Sequence, residues 1–114
     1  MFNKNITEKE KKNMKKIIDG RMYNTETAKV IAYNSNNLPK SELEYCMETL
    51  YRKRNGEYFL HGGGGAYSPY NRCVQGHLCG DEKIIPLCEE EAKEWCEENL
   101  DADEYIKIWG EVEE

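Results

Sequence analysis

Between residues 15 and 61 the apolar positions come in short runs broken by turn residues, the pattern of β-strands. "KKIIDGRMYN" reads as a strand, an Asp19-Gly20 turn and a second strand, because Asp-Gly readily supplies the backbone of a tight hairpin. "TETAKVIAYNSN" alternates through Ala28, Val30 and Ala32 and predicts another strand. "NSNNLPKS" is a loop, since Asn and Ser bond their own backbone and Pro restricts it. Residues 41–53 are readable in two ways. Leu43, Cys46, Met47, Leu50 and Tyr51 follow helical spacing, with Ser41 and Glu44 as a capping box. Asn55-Gly56, however, lies between two aromatic-rich runs and predicts a hairpin in which 49–53 pair with 57–61. A strand through the whole segment is the preferred reading.

The stretch "HGGGGAYSPYNRCVQGHLCGDE" shows no period and reads as a long irregular loop, and "EKIIPL" as a short extended segment. From Cys88 the period changes to that of a helix. Ala92, Trp95, Cys96 and Leu100 make one apolar stripe, and Glu89, Glu90 and Glu91 occupy the first turn, where the helix dipole favours negative charge. A second short helix follows in "DADEYIKIWG", with Asp101 as N-cap, Tyr105, Ile108 and Trp109 facing inward, and Gly110 at its end. The expected architecture is α+β: a small antiparallel β-meander, a long ligand-bearing loop, and one or two C-terminal helices packed on the sheet. Residues 1–13 are expected to be a flexible basic leader, and 14–114 one domain.

Composition adds a bound and an asymmetry. At 114 residues, 39% hydrophobic and 33% charged, the chain suits one polar domain with one modest core. No apolar run is long enough to span a membrane, and "MFNKNITEKEKKNMKK" lacks the apolar centre of a secretory signal, so a cytoplasmic location is expected. The net charge of −6 is uneven. Residues 81–114 hold fourteen acids against Lys83, Lys93 and Lys107, a net −11, whereas the first eighty residues hold thirteen basic and eight acidic groups, a net +5. The acidic end repels phosphates, so direct nucleic-acid binding is not expected of it. A solvated helix face accounts for such a charge run, and so does a surface that meets a basic protein partner. Glu90, Glu94, Glu97 and Glu98 are the candidate contacts in the second case.

Five cysteines in a reducing compartment point to metal or redox chemistry more than to disulfides, and the odd count fits a disulfide framework poorly. Cys73, His77 and Cys79 fall within seven residues and offer thiolate and imidazole ligands for zinc. Their spacing matches no common finger. Cys88 is the expected fourth ligand, because a helix N-terminus lowers a thiol pKa, with Cys46 as the alternative. Four protein ligands would make the zinc a structural staple for the loop. Cys96, on the apolar stripe, is a small buried hydrophobe.

Catalysis finds little support. "HGGGGA" has no accompanying G-x-S-x-G elbow and no Gly-Lys-Ser/Thr, so its glycines imply a wide bend or a backbone pressed against something bulky, with His61 ending a strand. With only His61 and His77 as imidazole bases, and His77 a candidate ligand, the chain is expected not to be an enzyme. Of the aromatic residues, Tyr67 and Tyr70 in the loop are expected to be exposed and available to a partner.

"ETLYRKRNGEYFLHGGGGAYSPY", residues 48–70, followed by "EKIIPLCEEEAKEWCEENLDADEY", resembles a family of small proteins carried by phages and integrative elements of Gram-positive bacteria. The resemblance covers residues 14–110. Within that group the clustered Cys and His are similar to those of zinc-containing type II-A anti-CRISPR proteins from streptococcal phages. Such proteins inhibit Cas9 by binding it rather than by chemistry. The resemblance therefore implies a non-enzymatic Cas9 inhibitor that binds the recognition lobe and prevents target DNA from loading. It carries over no catalytic residue, and Cys88 stands where Ser or Thr is expected in relatives.

Overall fold

The computed structural model describes residues 13–114, and the leader expected over 1–13 lies outside them apart from its last residue. Among the described residues, seven strands and two helices follow one another: β1 (Lys15–Ile18), β2 (Arg21–Asn24), β3 (Lys29–Ser35), β4 (Cys46–Arg52), β5 (Tyr58–Gly64), β6 (Asn71–Val74), β7 (His77–Leu87), α1 (Glu89–Asn99) and α2 (Ala102–Trp109). β1 and β2 form a two-stranded sheet, and the other five are linked in the order β3-β4-β5-β7-β6, every pair antiparallel. The α+β class expected from the sequence is the class observed.

Alternation along β5 divides the core in two. Leu60 joins Leu50, Ala92, Trp95 and Cys96, with Tyr105, Ile108 and Trp109 packed around them. Its neighbour Phe59 turns to the other face and joins Tyr23 and Ile84. The helices thus cover one face of the sheet and the β1–β2 hairpin covers part of the other. Phe59 stacks on Tyr51 at 5.0 Å and meets the edge of Tyr23 at 5.5 Å. On the helix side, Trp95 Nε1 donates to Glu48 Oε1 at 2.8 Å, and Asn34 Nδ2 donates to Asn99 Oδ1 at 2.9 Å. These bonds tie α1 to β4 and β3.

Local signals account for the element boundaries. Asp19 and Gly20 both have positive φ, the geometry of a two-residue hairpin turn that matches strand twist. The Asn55-Gly56 hairpin pairs Arg52 with Tyr58 and Thr49 with His61, as expected. Cys88 caps α1, its amide donating to Glu91 Oε1 at 2.9 Å, and Asp101 caps α2 by accepting from Glu104 N at 2.9 Å. Gly110, with φ 95°, ends α2.

Two expectations are corrected. The strand expected from residue 41 begins only at Cys46, and no helix forms before it. Asn36 explains the delay. Its Nδ2 donates to Glu44 O at 2.7 Å while its Oδ1 accepts from Cys46 N at 3.2 Å, pinning 37–45 as a turn-rich excursion. The long irregular loop is also replaced. His61–Gly64 continue β5, and Asn71–Val74 pair with His77–Gly80 around a Gln75-Gly76 turn, both of whose residues have positive φ. Only 65–70 leave the ladder. Asp81 of β7 pairs with Gly64 and the preceding Gly80 with Asn71, so pairing with β7 resumes at the very next residue of that strand toward its start.

Candidate functional site

The candidate surface is built by α1 and α2. Burying Ala92, Trp95 and Cys96 turns the remaining positions of α1 to solvent, and most of those are glutamates. Glu90, Glu94, Glu97 and Glu98 are all exposed, as are Glu89, Glu91, Asp101, Asp103 and Glu104. Lys93 is the one cation of α1. Its Nζ lies 3.4 Å from Glu89 and 5.3 Å from the centre of the Trp109 ring. Lys107 stands in the last turn of α2, where a cation complements the dipole. The backbone amide of Cys88 holds the Glu91 carboxyl below its ordinary range, the Cys88 side chain adding to the effect. The helices therefore present a strongly negative surface from a rigid base.

The two tyrosines expected to be exposed and available to a partner part company. Tyr67 is 63% exposed, held on the 65–70 excursion by its amide bond to Leu43 O at 2.8 Å. Tyr70 is only 5% exposed, against the expectation. Its ring lies over Gly62, where a Cβ would come within 2.0 Å of Cζ, and its hydroxyl donates to Glu48. Burial and the Glu48 hydrogen bond push its pKa far up. The glycines are thus no wide bend. Gly62 is a strand residue kept bare so that an aromatic ring can lie on the backbone, the second of the two readings.

The expected zinc ligands are not brought together. Cys73 pairs with Leu78 and Cys79 with Arg72, so the pleat sends Cys73 to one face and His77 and Cys79 to the other. Cys88 follows the far end of β7, nine residues of extended chain beyond Cys79, roughly 30 Å away. Cys46 lies opposite Gly64, two strands from β7, and its thiol pKa is raised by burial and then by Glu48. Among the described residues no three His, Cys, Asp or Glu side chains are grouped to hold a metal ion. These residues do not fit a tetrahedral zinc in this fold. Cys96 is fully buried, as expected of a small hydrophobe, and burial pushes its thiol pKa up.

No family model, curated protein or solved structure matches the chain. The site therefore has to be read from its own groups.

One pairing escaped the sequence. His61, expected at a strand end, sits within β5 at 6% exposure, its Nε2 2.9 Å from Glu82 Oε1. Glu82 lies two residues before Ile84, which is the register partner of His61, so strand pairing alone makes the contact. The two lie 21 positions apart, and the residues between them carry no signal of it. His61 is thereby engaged within the sheet, and buried Thr49 is its cross-strand neighbour. Among the described residues no helix is long and apolar enough to cross a membrane.

Proposed function

We propose that the chain is a non-catalytic binding protein whose acidic helical surface occupies a basic, nucleic-acid-handling surface of a partner protein. The observation that supports this reading is the concentration of nine exposed acids on two short, well-capped helices that are anchored through Trp95, Cys96 and Trp109. Such a surface competes with nucleic acid for cationic ground because it offers the same charge on a protein scaffold. The family resemblance of residues 48–70 and 82–105 supplies the partner: type II-A Cas9, met in the cytoplasm of a bacterial host, with target DNA kept from loading on the recognition lobe. Zinc takes no part in this reading.

The test is capture of purified Cas9 with the full chain, with and without guide RNA, alongside a DNA-cleavage assay. Binding that blocks cleavage is expected, weakening as salt rises. Absence of binding in both states, with cleavage undiminished at large excess, ends the reading. Changing Glu90, Glu94, Glu97 and Glu98 together to Lys is expected to weaken capture by about ten-fold or more, while melting shifts little because all four are exposed.

A further inference from the structure

The side of the sheet opposite the helices carries cations. A groove runs between the β1–β2 hairpin and the β4–β5 turn, and its charged and polar lining includes Arg21, Asn24, Thr27, Lys53, Arg54 and Glu57. We propose that this groove binds the phosphodiester backbone of single-stranded nucleic acid.

Three cations face one carboxylate, a surplus of two positive charges in a molecule whose net charge is −6. That carboxylate organises the groove. Glu57 Oε2 takes Arg21 Nη1, and its Oε1 takes Lys53 Nζ at 2.7 Å. Lys53 is fixed further by donating to Met22 O at 2.9 Å and by lying 4.0 Å over the Tyr23 ring. Two long side chains are therefore held in place before any ligand arrives, which lowers the entropy lost on binding. Burial and then the nearby Arg21 push the Lys53 pKa down, so an anion in the groove would relieve a crowded pair of cations. Arg54 stands at the tip of the turn and pairs with no acid among the described residues. Lys15 is the register partner of Asn24, which lines the groove.

The chemistry favours phosphodiester over an acidic protein segment. Two guanidinium forks flank the groove, and their planar donors match phosphate oxygens. Asn24 adds a neutral amide donor beside them, whereas Asn55 Nδ2 already donates to Glu57 Oε1 at 3.2 Å and Thr27 Oγ1 to Asn24 O at 3.4 Å. The only large apolar side chain in the lining is Met22, too little for the apolar centre of a protein interface. A flexible strand can follow so short a groove, whereas a rigid duplex would bring more phosphates toward the acidic helices. The expectation of no nucleic-acid contact came from the acidic end alone; no residue of that end lines the groove, although Cys88 and Glu89 border an adjoining pocket across Gly56 and Glu57. The inference does not rest on the identity of the protein partner proposed above.

The test is fluorescence anisotropy of a labelled single-stranded RNA of about 20 nucleotides, titrated with the full chain without any partner protein. Binding is expected at about 50 mM salt, weakening as salt rises with a log–log slope of about −2 for three phosphate contacts. Arg54→Glu is expected to weaken it about five-fold or more and to flatten the slope, with melting unchanged because Arg54 is exposed. Arg21→Glu is expected to act in the same direction. No anisotropy change with the natural chain overturns the proposal. So does equal affinity in natural and Arg54→Glu chains, which would place RNA on the lysines of residues 1–12. Binding of a labelled poly-glutamate peptide in place of RNA would assign the groove to acidic protein and overturn it as well.

Discussion

The two faces of the central sheet are covered by different means, and a groove with a local positive surplus beside the hairpin contrasts with the acidic helices. The helix face is closed by a continuous apolar stripe, and its glutamates stand away from the core in water. The hairpin face is closed mainly by aromatic contact among Tyr23, Tyr51 and Phe59, and Lys53 lies against that cluster over the Tyr23 ring. Two pKa shifts record the difference. Glu91 is shifted down by backbone and side-chain hydrogen bonds, which favours its charge, and Lys53 is shifted down by burial, which opposes its charge. The acidic face thus carries its charge in water, whereas Lys53 on the other side carries its charge against partial burial.

The sharpest way to break this comparison is to empty each core from adjacent positions of β5. Phe59→Ala is expected to cost about 3–5 kcal/mol and Leu60→Ala about 2–5 kcal/mol in urea unfolding, because both side chains are buried. A cost below about 1 kcal/mol for Phe59→Ala would mean that the hairpin is a loose appendage and that the second core does not exist. Next in size is Gly62→Ala. The new Cβ meets the Tyr70 ring, so a loss of about 1–3 kcal/mol is expected from overpacking. Tyr70→Phe, which leaves the ring and removes only the bond to Glu48, should cost about 1–2 kcal/mol. If Gly62→Ala is neutral, the ring does not lie on that strand.

The smallest expected effect is electrostatic. The Glu91 pKa is depressed in the fold, so its contribution is complete above the ordinary glutamate value of about 4.3 and disappears as pH falls through the lower folded value. Melting curves recorded across that acid range should show a shallower decline for Glu91→Ala than for the natural chain. An identical decline would mean that the cap contributes nothing.

Much of this was legible along the chain, and the particular misses are instructive. Asp19-Gly20 and Asn55-Gly56 announced their hairpins because those dipeptides favour the backbone angles the turns need. Gln75-Gly76 makes the same kind of turn as Asp19-Gly20, yet Gln is not a usual turn former, and the flanking Cys, Arg and Gly lack apolar alternation. The hairpin was therefore read as loop. Its ladder is supplied by continuity with β7, whose later residues are secured on β5. The candidate zinc ligands lie apart for the same reason: closeness in sequence became separation once the segment was pleated and Cys88 lay beyond the strand.

What the sequence determined unaided was the period of both helices, their boundaries and the charge of the surface, because these depend on residues within a turn or two of one another. What only the tertiary structure decided was which side chains meet across strands: His61 with Glu82, Tyr70 over Gly62 and against Glu48, and Arg21 and Lys53 on Glu57. Those meetings depend on strand register and on the path of the 65–70 excursion. Register is selected by burying two cores at once, a condition that no local stretch of chain expresses.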